Sequence, residues 1–102
     1  MKNVYVWQLP LSNPRCFRPV DYIEVDVRDY VLVYETSTEE TIDDNYLEEL
    51  FTMLNDNEDF RLRSMSASDL IIVQDIEDQH KITGYAVDLV GFKEVEVKGY
   101  GL

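Results

Sequence analysis

Cys16 and His80 are the only thiol and the only imidazole in this chain of 102 residues. Paired, they could serve nucleophilic catalysis, which needs a nucleophile beside a base and a third group to orient that base. His80 lies in the polar run "EDQHK" between two strand-like segments, so it reads as a solvated loop residue. Ser64, Ser66 and Ser68 lack the glycine flanks of a nucleophile elbow, and their ordinary task is to bond nearby backbone at a turn. "DDNYLEEL" places Asp43 beside Asp44 and Glu48 beside Glu49 on one helix. Hydrolytic metal sites draw their ligands from several elements, so a solvated helix face is expected instead. Asp69 and Asp88, near the ends of neighbouring strands, are the only acids the pattern could bring together. No P-loop, GxGxxG, HExxH or EF-hand pattern occurs. A single cysteine excludes an internal disulfide and a four-thiolate zinc site. The residues therefore lead to an expectation of no catalytic residue, no metal and no cofactor.

Charge is more informative. Twenty-one Asp and Glu face nine Lys and Arg, for a net charge of −12. Such a chain repels nucleic acid and anionic membranes at long range and attracts basic protein surfaces. The acids are also unevenly spread. Between Asp29 and Asp59 there is no Lys or Arg, and eleven acids fall in that window. Seven of them, Asp43, Asp44, Glu48, Glu49, Asp56, Glu58 and Asp59, lie on one helix and its C-terminal flank and are the candidate partner-binding residues. Electrostatically, a one-sided acidic surface resembles a run of phosphates. Arg61 and Arg63 form a basic spot too small for a nucleic-acid footprint, and cations beside a helix C-terminus offset its dipole.

The elements that must position these acids are legible in outline. Length fits one small domain over residues 1–102, and 45% hydrophobic residues suffice for a core. No run approaches the ~20 apolar residues of a membrane span, and the N-terminus is too short in apolar residues for a signal peptide. A soluble, cytoplasmic protein is expected. Asn3–Leu9 reads as a strand ended by Pro10, and the three prolines at 10, 14 and 19 demand an ordered loop or edge segment. Tyr22–Val27 alternates as a strand, with Ile23, Val25 and Val27 on one side. Tyr30–Glu35 is apolar on both faces and suits a central strand. The "RD" between them fits either a bend or a tight connection.

Tyr46, Leu47, Leu50, Phe51 and Leu54 follow a helical stripe, with Thr41 and Asp44 as a capping box and Asn55–Asn57 as the stop. Ser64–Leu70 reads as a turn, Leu70–Ile76 as a buried strand, and Ile82–Val90 as its returning partner. Phe92–Val97 alternates as a final edge strand blunted by charges. The expected fold is α+β, in the order β-β-β-α-β-β. It has a mainly antiparallel sheet of about five strands with one amphipathic helix packed on it.

An ordered set of residues resembles the YodL-like domain. It comprises Phe51 and Asn55, then Asp59, Phe60 and Arg61, then Ser64, Ser66, Ser68 and Asp69, and finally Asp88, Gly91 and Phe92. The likeness runs from about Tyr30 to Val97 and is looser in the N-terminal third. These domains are encoded on plasmids, conjugative elements and phages of Gram-positive bacteria. The resemblance implies no catalytic residues: Phe51, Phe60 and Phe92 are packing positions, and Ser66, Ser68 and Asp69 bond a turn. Within that neighbourhood the chain is similar to small type II-A anti-CRISPR proteins. This implies an inhibitor of the RNA-guided nuclease Cas9, docking its acidic face in the basic channel that holds guide RNA or target DNA. Two other expectations stand beside it: an enzyme that modifies or cleaves guide RNA, and an accessory domain of a mobile element that binds another basic host protein.

Overall fold

The computed structural model describes residues 1–56, 65–78 and 81–100. In chain order the elements are β1 (Lys2–Gln8), β2 (Glu24–Asp26), a 3-10 turn (Val27–Asp29), β3 (Val31–Thr38), α1 (Asp44–Asn55), β4 (Leu70–Asp75), β5 (Ile82–Val87) and β6 (Phe92–Lys98). The strands make one six-stranded sheet in the order β2-β6-β5-β4-β1-β3. Every pairing is antiparallel except β2 with β6, which is parallel. The class is α+β, and each of the six segments read as a strand overlaps one in the sheet, against the count of about five in the expected order.

Two strands exchange the roles that their sequences suggest. β6 is interior, flanked by β5 and β2, although its alternating charges read as an edge. Its Lys98 meets Glu24 across the β2 pairing at 2.8 Å, so one of those charges serves strand pairing. β3 is the outermost strand although it reads as central, and Val31 and Leu32 remain 42% exposed. Other boundaries also shift. β2 keeps three residues, and Ile23 points outward at 73% exposure while Val25 and Val27 are buried. β5 stops at Val87, leaving Asp88–Gly91 as the turn into β6, with Gly91 at φ 74°. The left-handed conformation there is one that glycine adopts without strain.

The "RD" connection is the 3-10 turn, capped by Asp26, whose carboxylate accepts from the Arg28 amide at 2.9 Å. This short link constrains the whole sheet. From Asp26 to Val31 the chain takes five Cα steps, or at most ~19 Å. Six flat strands would hold β2 and β3 ~24 Å apart. The sheet therefore curls, bringing its two edges toward each other.

Curling creates two cores. On the outer face α1 packs Leu47, Leu50 and Leu54 against Val4, Val6, Ile71 and Val73. Each fully buried leucine contributes about 1.5–3 kcal/mol. On the inner face Leu9, Val20, Val25, Val27 and Tyr30 pack against Leu70, Ile72, Ala86 and Val95. The proline-rich segment is thus an ordered loop leading into a lining of the second core, not an edge strand. β4 is apolar throughout because Ile71 and Val73 face one core while Leu70 and Ile72 face the other.

Candidate functional site

α1 begins at Asp43, not at the Thr41–Asp44 box. The Asp43 carboxylate accepts from the Tyr46 amide at 2.9 Å, satisfying one of the unpaired donors of the first turn. Asp44 follows in that turn, where the positive end of the helix dipole favours an anion. The helix ends at Asn55, within the expected Asn55–Asn57 stop, and Asp56 caps it in a right-handed conformation, while Asn57 lies outside the described residues. The Asn55 side-chain oxygen accepts from the Met65 amide at 2.6 Å.

Burying Leu47, Leu50 and Leu54 turns the rest of the helix outward. Asp43, Asp44, Glu48, Glu49 and Asp56 are all exposed. Glu48, Glu49 and Asp56 border a shallow depression with Asn45, Thr52 and Met53. Glu58 and Asp59 lie outside the described residues, as do Arg61, Arg63 and His80. Among the described residues none of the five helix acids meets a cation at ion-pair distance. The pairs found there join Arg28 to Asp26 at 2.6 Å and Lys98 to Glu24 at 2.8 Å, both at the β2 edge.

The acidic surface extends beyond the helix. Glu94 of β6 stands opposite Tyr85 of β5. The Tyr85 hydroxyl is pushed up by burial first, then by the carboxylates of Glu94 and Asp44. Asp44 and Glu94 therefore act on one spot although fifty positions separate them. A second notch between α1 and the β5–β6 turn is lined by Glu48, Phe51, Thr52, Asp88, Leu89 and Phe92. Sequence reading gave Glu94 only the task of blunting an edge. The pairing that carries β6 beneath α1 is long-range and leaves no local signal. Conversely, Asp29 and Glu35 of the same acidic window lie away from the helix: Asp29 sits on the 3-10 turn, and Glu35 stands opposite Tyr5, which packs against the inner core.

Asp69 and Asp88 do not converge on a shared site. Asp69 is wholly buried and accepts from the Gln8 side chain at 3.2 Å and the Ser66 amide at 2.8 Å. Asp88 accepts from the amides of Val20 and Leu89 at 3.1 and 2.8 Å. These bonds, the Val20 one first, hold its carboxyl below the usual carboxylate range. Ser68, at φ 74°, donates its hydroxyl to the Arg18 carbonyl at 2.9 Å. All three residues fasten loops at one end of the sheet. Among the described residues no group of three or more His, Cys, Asp or Glu is placed to hold a metal ion, and no helix is long and apolar enough to cross a membrane.

No curated protein and no solved structure matches the chain. The family pattern of the YodL-like domain does, over residues 3–97, so it takes in β1 and the proline-rich loop as well as the helix and the later strands. The architectural parts just described, from β1 through the Ser66–Asp69 turn to β6, fall within that match apart from Lys2 and Lys98 at its two ends: the chain belongs to the YodL-like domain family.

Proposed function

We propose that this chain is an anti-CRISPR protein, a non-catalytic inhibitor of a type II-A Cas9 nuclease carried by a mobile genetic element. It works by presenting a polyanion-like surface. Asp43, Asp44, Glu48, Glu49 and Asp56 enter the basic channel of the nuclease, with Glu58 and Asp59 continuing the set, and guide RNA or target DNA is kept out by competition. The observation that supports this reading is the exposed row of carboxylates on α1, without a cation against it among the described residues. A helix fixed by three buried leucines holds those charges in one place, so little ordering is needed on binding.

The competing reading is an enzyme that modifies or cleaves guide RNA. Guide RNA incubated with the chain, with and without Cas9 and divalent metal, separates the two. Intact RNA that fails to associate with Cas9 is the expected result. Shortened or modified RNA overturns the competitor mechanism. A chain that captures another basic host protein from the same cells and leaves Cas9 active would be an accessory domain instead.

A further inference from the structure

β3 is the longest strand of the sheet, eight residues from Val31 to Thr38, and it forms one edge. Natural edge strands are usually short, or carry lysine or proline, to prevent pairing with another chain. The opposite edge follows that rule: β2 has three residues, and its Glu24 and Asp26 are tied up by Lys98 and Arg28. β3 has neither lysine nor proline. Its one irregularity is a register shift against β1, where Val6 faces Tyr34 but Trp7 faces Leu32, so Val33 is the extra residue. Beyond that bulge, Tyr34 to Thr38 run in regular register with Lys2 to Val6. Leu32, Val33, Tyr34 and Glu35 line a shallow trough on the strand.

We infer that β3 is a docking edge for an extended segment of a partner protein, bearing Lys or Arg at alternate positions, that adds to the sheet as a seventh strand. A row of outward backbone donors and acceptors selects an extended chain. Charge selects its composition, because Glu35 on the strand and Glu39 and Glu40 just beyond it are exposed, and no cation occurs from Asp29 to Asp56. The same charges oppose a second copy as the occupant. A second copy would bring no cation in this segment to meet Glu35, Glu39 and Glu40, whereas a Lys- or Arg-bearing strand would. Glu40 borders the helix face, in a depression it shares with Asp43 and Glu49, but Glu35 stands opposite Tyr5 away from the helix and distinguishes the edge from it.

The test is titration of the isotopically labelled full chain with a ten-residue peptide alternating Lys and Val, followed by amide resonances. Two control peptides carry Glu for Lys, or N-methyl groups on alternate amides. The expected shifts centre on Val31–Thr38 and are absent with both controls. E35K should weaken binding up to about fivefold, the size of one cross-strand opposite-charge pair, and E48K/E49K should weaken it less. Equal binding of the N-methylated peptide, shifts centred on α1, or no binding overturns the inference. So does sedimentation as a dimer that E35K alters.

Discussion

The side-chain amide of Gln8 donates to the Asp69 carboxylate at 3.2 Å, and both residues are wholly buried. Gln8 closes β1 and Asp69 precedes β4, so the bond joins two paired strands where they meet the loops. The same carboxylate oxygen holds the Ser66 amide, while the neighbouring Ser68 reaches the Arg18 carbonyl. Buried donors that lose their acceptor cost about 1–3 kcal/mol each. Asp69→Ala should therefore destabilise the fold by about 3 kcal/mol and Asp69→Asn by less. Urea unfolding measures both, and an unchanged midpoint for Asp69→Ala would remove this bond from the account of the fold.

Stability should fall in acid. Asp26 is held down to about 2, first by the Arg28 guanidinium and then by the Arg28 amide. Asp75 is lowered by the amides of Asp78 and Glu77, and Asp88 by those of Val20 and Leu89. In each case the folded carboxyl binds its proton less readily than an unfolded one, whose pKa is near ~3.9. The contribution is therefore complete above about pH 4 and is lost as pH falls toward 2. Urea midpoints at about pH 4.5 and pH 2.5 should differ, and Asp88→Asn should narrow the difference.

Gly84 marks a close approach within the sheet. A Cβ there would lie 2.5 Å from a Val97 methyl and 3.1 Å from the Val95 carbonyl oxygen. The methyl can turn aside, but the backbone oxygen of the paired strand cannot. Gly84→Ala should destabilise by about 1–3 kcal/mol, the usual cost of overpacking. Thermal unfolding provides the check.

Asp43 combines a structural task with a proposed contact, and two substitutions separate them. Asp43→Asn keeps a good helix cap and removes the charge, whereas Asp43→Ala removes both, at a cost of about 1 kcal/mol. Stability should follow the cap and Cas9 inhibition the charge. Equal inhibition by the wild type and Asp43→Asn would take Asp43 out of the contact set.

How much of this was legible follows the range of each signal. The helix and its buried leucines were, because the stripe from Tyr46 to Leu54 is local and periodic. The doubly buried β4 was too, since "LIIV" leaves no polar face. Edge and interior were reversed for β3 and β6, because strand order is set by long-range pairing and composition reports it weakly. The shared face of Val25 and Val27 was legible in the alternation of Tyr22–Val27, but not the core they enter, because Leu9 and Val20 reach it from the ends of the proline-rich loop and strand order brings them together. For the acidic site, Asp43, Asp44, Glu48, Glu49 and Asp56 could be found by exclusion from the apolar stripe. The adjoining Glu94 required the sheet.

Inhibition of Cas9-dependent DNA cleavage by the double variant Glu48→Lys, Glu49→Lys is the most direct test of the polyanion-like face. Both side chains are exposed, so the fold should survive, and unfolding curves verify that. At physiological salt, where charges more than ~8 Å apart are screened, inhibition should drop sharply for the variant. For the wild type it should weaken steeply as salt is raised. Undiminished inhibition by a folded variant, at both low and high salt, would contradict it.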